Sequence, residues 1–364
     1  MSAAGRPLRI ALVAPARFPV REPYAGGLES IVATLASALR TQGHEVELYA
    51  VRGSAGGSTR FAFPGIRWGR HDHASDVGYP PGGQEAEHQA FDELVQHLAA
   101  EGGHDVIHNH SLHPALLARA GELGAPLLTT VHTPPFPELQ EVIARAVVEG
   151  RSCGHVAAVS RSVADAWVLP DSAEVIGNGI DLDDWPAGPG GDQLVWTGRL
   201  VPEKAPHLAL ETARAAGRPL RLAGRVGDDD YVRARVLPLL SSEHEYLGPL
   251  RRPELAALVG SSAAALVTPL WEEPFGLVVA EAMAAGTPVA ALRRGGVPEV
   301  LGPWARVCST PVEDPRALAR VVDRAVRLDR AAIRSDARGR LGADVMARAY
   351  VARYRDLAAA GVAG

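Results

Sequence analysis

Cysteine is scarce in this chain: Cys153 and Cys308 are the two in 364 residues. They fall in different halves with no metal-ligand spacing. That excludes a disulfide-stapled scaffold and a cysteine metal site, and fits reduced, small apolar fillers in a cytoplasmic protein. Long hydrophobic runs are missing too. None approaches the ~18 apolar residues a membrane helix requires, so no integral membrane segment is expected. The opening Met1-Ser-Ala-Ala-Gly-Arg-Pro7 leads into an apolar strand without the pattern of a signal peptide. Basic tracts are absent, and a formal charge of -5 argues against nucleic acid as a partner. The Gly-x-Gly-x-x-Gly fingerprint is also lacking. The second strand ends in Ala50-Val51 rather than in an acid for a ribose, which argues against NAD in the first half.

What is present is a chain with 47% hydrophobic and 22% charged residues, too long for one ordinary core. Two domains are expected, over residues 1–186 and 187–343, with a last helix at about 344–364 packing back on the first. Strands over Leu8–Ala14, Val46–Val51, Asp105–His110, Pro126–Val131 and Val156–Val159 alternate with helices over Leu28–Arg40, Gln84–Ala100, Leu112–Ala120 and Glu138–Gly150. The reading is α/β, with parallel, doubly wound Rossmann-like sheets. Gly26-Gly27 precedes a helix, a position suited to anions and to close backbone approach. Ser160 is a helix-cap candidate, and a hairpin is expected at Arg60–Arg67 in an otherwise irregular excursion from Gly53 to Gln84. His108, His110 and His132 stand at strand ends, where open α/β sheets place ligands. His132 is the stronger candidate because Pro134 and Pro135 stiffen the loop behind it. His71 and His73 read as solvated before they read as metal ligands. The Asp181-Leu-Asp183 and Asp228-Asp-Asp230 strings read as structural or solvated, so no metal is expected. Pro186–Asp192 reads as a linker.

The second half repeats the alternation. Its strands are Leu194–Thr197, Leu220–Ala223, Tyr246–Leu247, Ala263–Val267 and Val289–Leu292. Between them lie helices at Pro206–Ala216, Tyr231–Leu240, Pro253–Val259 and Pro298–Leu301. Trp271-Glu-Glu-Pro-Phe-Gly-Leu-Val-Val-Ala-Glu281 is read as a strand end entering a helix at Pro274 that Gly286 and Pro288 stop. On that reading Glu273 and Glu281 lie along one side, roughly 12 Å apart at 1.5 Å per residue, a spacing for two ends of one extended ligand. Glu281 sits among alanines, where a buried acid needs a partner. Arg199 and Lys204 follow the domain's first strand, and two cations there can clamp a diphosphate. With Gly224 and Gly295-Gly296 these acids and cations define one crevice edge.

Gly198-Arg199-Leu-Val-Pro-Glu-Lys204, Gly248-Pro-Leu250, Glu273-Pro-Phe275-Gly276-Leu277-Val-Val-Ala-Glu281 and Gly295-Gly296-Val-Pro-Glu299 resemble, in order and spacing, the retaining glycosyltransferases of family four. The resemblance implies the GT-B fold, two Rossmann-like domains facing each other across a cleft. It implies transfer of a sugar from a nucleotide-diphospho-sugar to a hydroxyl acceptor (small molecule, glycan or lipid), without metal or other cofactor. By the same resemblance Glu281 receives the ribose hydroxyls, and Glu273 with the backbone N–H groups of Phe275, Gly276 and Leu277 holds the donor sugar. Arg199 and Lys204 meet the diphosphate, the Gly26-Gly27 loop closes on phosphate and sugar, and His132 touches the sugar. Leu250 is a contact for the base, and Gly224 lines the same edge. Two rivals remain at this point: a nucleotide-sugar epimerase of the same shape, and a catalytically silent nucleotide-sugar-binding protein.

Overall fold

The alternating apolar runs fold as two six-stranded, wholly parallel sheets in a computed structural model that describes residues 5–68 and 78–362. His71 and His73 lie outside the described residues. The chain divides into two compact units. One comprises Met1–Val159, Val163–Gly177 and Met346–Gly364; the other comprises Ser160–Ser162 and Asn178–Val345.

In the first unit the strands are β1 (Arg9–Val13), β2 (Glu45–Tyr49), β3 (Val106–Asn109), β4 (Leu127–Val131), β5 (His155–Ala158) and β6 (Glu174–Val175), in the order β2-β1-β3-β4-β5-β6. Each is four or five residues long except β6, and most are buried on both faces, as helix-covered parallel strands must be. The helix Gly27–Thr41 lays Ile31, Val32, Leu35, Ala36 and Leu39 on the sheet at helical spacing. The helix Ala343–Val362 adds Met346, Ala347, Tyr350, Val351, Tyr354 and Leu357 to the same core. Each fully buried leucine among them contributes about 1.5–3 kcal/mol.

Between β2 and the helix Gly83–Glu101 there is no hairpin at Arg60–Arg67. Gly57 and Phe63 instead form isolated parallel bridges with Leu48 and Val51. Phe63 is fully buried, its ring 4.8 Å from that of Phe91 and 5.5 Å from that of Phe61. Aromatic burial outweighs local strand pairing there.

The second unit contains β7 (Leu194–Thr197), β8 (Leu220–Ala223), β9 (His244–Tyr246), β10 (Ala264–Val267), β11 (Val289–Leu292) and β12 (Ser309–Thr310), in the order β12-β11-β10-β7-β8-β9. Three local expectations change here. The helix expected at Tyr231–Leu240 is three short turns, Asp229–Tyr231, Val232–Val236 and Leu237–Leu239, the middle one π-type. Pro238, having no N–H, cannot continue an α ladder. The Pro186–Asp192 stretch is not a free linker, because Gly188 N–H donates to Ala285 (3.2 Å) and Gly190 N–H to Gly260 (3.0 Å). The third change concerns the helix after β10, which begins at Leu277 rather than at Pro274. Both cysteines are free and buried. No helix among the described residues is long and apolar enough to cross a membrane.

Candidate functional site

In each sheet the chain runs outward from the centre, returns, and runs the other way. The strand order reverses between β1 and β3 in the first unit and between β7 and β10 in the second. Open parallel sheets bind ligands at such switch points, beyond the carboxyl ends of the strands. The loops leaving β7 and β10 carry Arg199, Lys204 and Glu273, so the second switch point is lined by the residues singled out from sequence.

That edge is tied together by hydrogen bonds. Thr268, just past β10, accepts from Trp196 Nε1 (3.1 Å), and its hydroxyl faces the carbonyls of Lys204 and Ala205, 3.0 Å from each. Leu270 N–H donates to the Glu203 carbonyl at 2.8 Å. Ala205 takes a left-handed conformation (φ 46°), the one non-glycine to do so among the described residues. Because a residue before proline is disfavoured in the right-handed helical region, Ala205-Pro206 turns the chain sharply and leaves Lys204 at the mouth. The Lys204 ammonium is ion-paired with Glu273 Oε2, which also accepts from Trp271 Nε1 at 3.0 Å. Lys204 Nζ lies 4.8 Å from the Trp271 ring centroid, within cation–π range. Arg199 is more exposed and lies 3.8 Å from Glu203.

The two acids expected on one helix are arranged differently. Gly276 caps the helix Leu277–Ala284 in the left-handed region (φ 94°), so Glu273 lies in the loop before it and only Glu281 is helical. The helix starts late because Gly295-Gly296 holds the preceding loop. Gly295 N–H donates to the Glu272 carboxylate (2.6 Å), and Gly296 N–H donates to the Glu273 carbonyl (2.7 Å). A Cβ at Gly295 would sit 2.1 Å from that carbonyl oxygen. Among the described residues no acceptor meets the N–H groups of Phe275, Gly276 or Leu277, leaving donors at a helix start.

Glu281 keeps partial access to solvent, but no described residue hydrogen-bonds its carboxylate. Burial pushes its pKa up to about 7, against the opposing pull of the Arg252 cation. Arg252 is itself ion-paired with Asp184.

Gly224 and Leu250 lie on the same edge, in the loops after β8 and β9. Gly224 (φ 149°) packs so closely that a Cβ would meet the Gly198 carbonyl oxygen at 1.8 Å. Its own N–H donates to Gly248, and its carbonyl accepts from the Tyr246 hydroxyl. Leu250 is half-exposed.

In the first unit, Gly26 is extended (φ −153°, ψ −178°) and caps the Gly27–Thr41 helix without a side-chain cap. A left-handed turn therefore does not explain glycine at 26, and a Cβ there would meet only the Glu29 carboxylate, at 3.2 Å. His132 follows β4, its Nε2 2.8 Å from His110 Nδ1, and burial lowers its pKa to about 3.

Ser160 stands immediately before the short helix Arg161–Ala166. Its hydroxyl donates to the Pro274 carbonyl at 2.6 Å, while the N–H groups of Arg161 and Ser162 are met by the Glu299 carboxylate at 2.7 and 3.0 Å. The aspartate strings are local structure. Asp181 accepts from Asp183 N–H, and Asp228 accepts from Tyr231 N–H. Among the described residues no group of three or more His, Cys, Asp or Glu side chains is placed to hold a metal ion.

Trp271, Thr268 and Glu272 were missed as site residues, for their partners are set by folding. One overlooked signal was compositional: Lys204 is the only lysine of the chain, every other Lys/Arg position being arginine.

Two parallel, switch-pointed α/β units with charged loops at the strand ends define the GT-B class. The chain matches the family described as Glycosyltransferase Family 4 over residues 25–184, and Glycosyl transferases group 1 over residues 183–340. A D-inositol 3-phosphate glycosyltransferase of Frankia alni is 31% identical over 85% of this chain and 88% of its own length. A glycogen synthase of Mycobacterium tuberculosis is 33% identical over 54% of each chain, so this chain spans about half the length of that relative. Among solved structures, AviGT4, a glycosyltransferase involved in avilamycin A biosynthesis, covers 97% of this chain and 98% of its own, with TM-score 0.71 and 24% identity. The chain belongs to glycosyltransferase family 4.

Proposed function

We propose that the chain is a retaining, metal-independent glycosyltransferase that moves a sugar from a nucleotide-diphospho-sugar to a hydroxyl of a small acceptor. The observation that carries this reading is the Lys204–Glu273–Trp271 knot at the switch point of the second sheet, with the unpartnered Glu281 carboxylate a little over one turn into the helix behind it. The Anabaena protein HepE, solved with UDP-glucose, shares the fold at TM-score 0.70 and 20% identity over 96% of this chain and 100% of its own, which supports a nucleotide-sugar donor.

Ionised Glu281 accepts from both ribose hydroxyls, a demand a carboxylate can meet with its two oxygens. Glu273 and the open amides of Phe275, Gly276 and Leu277 hold sugar hydroxyls. Lys204 carries three donors and Glu273 uses one, so the ammonium can also meet a phosphate, with Arg199 as the second cation. Together they stabilise the charge that develops as the bond from the anomeric carbon to the phosphate oxygen breaks. That electron pair leaves with the diphosphate. The acceptor oxygen bonds to the anomeric carbon from the same face, and its proton passes to the departing phosphate oxygen. His132 and the Gly26-Gly27 loop serve the sugar and phosphate in the first unit. Two buried free cysteines support a reducing, cytoplasmic location.

Incubation with a panel of labelled nucleotide sugars tests the reading. Transfer or slow hydrolysis with retained configuration, unaffected by a chelator, is expected. Epimerised donor or binding alone would select one of the rivals, an inverted product would refute retention, and a glycosyl adduct trapped on a side chain would refute same-face attack.

A further inference from the structure

The edge of the first sheet carries a buried polar chain behind His132. His132 Nε2 lies 2.8 Å from His110 Nδ1, and His110 Nε2 lies 3.2 Å from His108 Nδ1. His108 Nδ1 is also 2.5 Å from the Tyr354 hydroxyl. On its other side His108 Nε2 lies 2.8 Å from Thr130 Oγ1, which is 3.0 Å from the Tyr350 hydroxyl. His108, His110, Thr130, Tyr350 and Tyr354 are at most 1% exposed, whereas His132 retains some access. No carboxylate or cation bonds to any of these groups among the described residues.

We infer that Tyr354, acting through His108 and His110, positions His132 as a neutral ring with its hydrogen on Nε2 and its lone pair on Nδ1, so that His132 offers an acceptor at the sheet edge. This rests on the reading of His132 as a group that touches the donor sugar, and it specifies that contact: a sugar hydroxyl donates to Nδ1.

The direction follows from counting hydrogens. A neutral imidazole has one N–H and one lone pair. Phenol is the better donor and imidazole nitrogen the better acceptor. Two hydroxyl chains compete for the one His108 lone pair, and either choice leaves one hydroxyl hydrogen unpaired, so donor strength decides: the phenol of Tyr354 at 2.5 Å is a better donor, and closer, than the alcohol of Thr130 at 2.8 Å. The Tyr354 hydroxyl therefore donates to His108 Nδ1, which puts the His108 hydrogen on Nε2, facing Thr130. His110 Nε2 lies 3.2 Å from the same nitrogen, where a bare nitrogen would set lone pair against lone pair, so it carries the hydrogen and shares that acceptor with Tyr354. That leaves His110 Nδ1 bare, so the hydrogen in the 2.8 Å contact comes from His132 Nε2. Burial disfavours the imidazolium at every station, holding His108 and His110 well below the usual histidine range and His132 at about 3. The adjacent Thr133 hydroxyl is buried without a partner, a second polar group left open at this edge.

Long-range 1H–15N correlation spectra of the labelled full chain between pH 5 and 8 test the inference. The expected spectrum shows His132 neutral throughout, with hydrogen on Nε2. Tyr354→Phe removes the donor that orders the chain, so His132 should shift toward the Nδ1–H tautomer and kcat/KM should fall about tenfold. A wild-type His132 carrying hydrogen on Nδ1, or titrating near pH 6.5, overturns the proposal. So does a folded Tyr354→Phe protein with an unchanged His132 tautomer. Should that variant not fold, the wild-type spectrum decides alone. If His132→Ala turns over at the wild-type rate while the spectrum is as expected, the sugar-contact reading fails and the relay stands.

Discussion

Glu281→Gln should make this protein more stable and a worse nucleotide binder, and the gap should depend on pH. The folded-state pKa of Glu281, about 7, stands above the ordinary carboxyl value of 4.5. A carboxyl raised in this way costs nothing while both states are protonated, below pH 4.5. As pH rises the unfolded chain ionises first, and stability is lost until the folded group has ionised too, above pH 7. At 1.36 kcal/mol per pKa unit the full loss is about 3 kcal/mol. Glutamine keeps the shape and does not ionise, so the variant should match the wild type at pH 4.5 and exceed its stability at pH 8. The difference corresponds to several degrees in the transition of the second unit, at about 2–4 °C per kcal/mol for a domain of that size. Nucleotide binding should run the opposite way. Ribose hydroxyls donate best to the ionised carboxylate, so wild-type affinity should rise between pH 5 and 7 with release of a proton. Glu281→Gln should flatten that rise. Calorimetric melting and nucleotide titration across the pH range read both effects. Parallel melting curves at every pH, or an unchanged slope of affinity, would refute the reasoning.

Other residues divide the work differently. Glu273→Ala should lower turnover while leaving nucleotide affinity nearly intact; loss of affinity equal to that of a Glu281 variant would contradict the separate roles. Arg199→Ala combined with Lys204→Ala should raise the barrier by at least ~3 kcal/mol, over a hundredfold in kcat, if these cations stabilise leaving charge; a double variant with normal turnover sinks that account. Lys204→Arg should rescue poorly, because a planar guanidinium cannot take the place of a compact ammonium packed on Trp271 and Glu273. As Lys204 is the only lysine, amine-directed labelling should mark it, apart from the N-terminal amine, with donor protecting it. Gly224→Ala should destabilise the second unit by more than about 2 kcal/mol in denaturant titration, given the 1.8 Å approach to the Gly198 carbonyl.

Most strands and helices were legible because apolar periodicity and buried runs are local properties. The helix Gly27–Thr41 and the strands flanking it can be read from their own residues. What escaped depends on distant partners. Pro274 looks like a helix start until Gly295 and Gly296, some twenty residues on, hold the Glu272 carboxylate and the Glu273 carbonyl in turn and move the start to Leu277. The first turn after Ser160 draws two of its capping oxygens from Glu299, far along the chain. Phe63 looks like part of a hairpin until Phe91 offers a larger burial. The acids and cations themselves were visible because the family spacing survives here. The pairing of Lys204 with Glu273 and the lack of a partner for Glu281 are properties of the assembled loops, and no local pattern announces them.

The helix that brings Tyr350 and Tyr354 into the first unit has a consequence for biosynthesis. The strands it covers end at Val175, yet the helix leaves the ribosome only after the whole second unit has been made. Domains tend to fold as they emerge. Here the earlier one must wait with the seat of Met346, Tyr350, Tyr354 and Leu357 open, while the later one has every strand it needs. The order of completion is thus the reverse of the order of synthesis, and the nascent first unit offers an apolar groove to chaperones until its closing helix arrives.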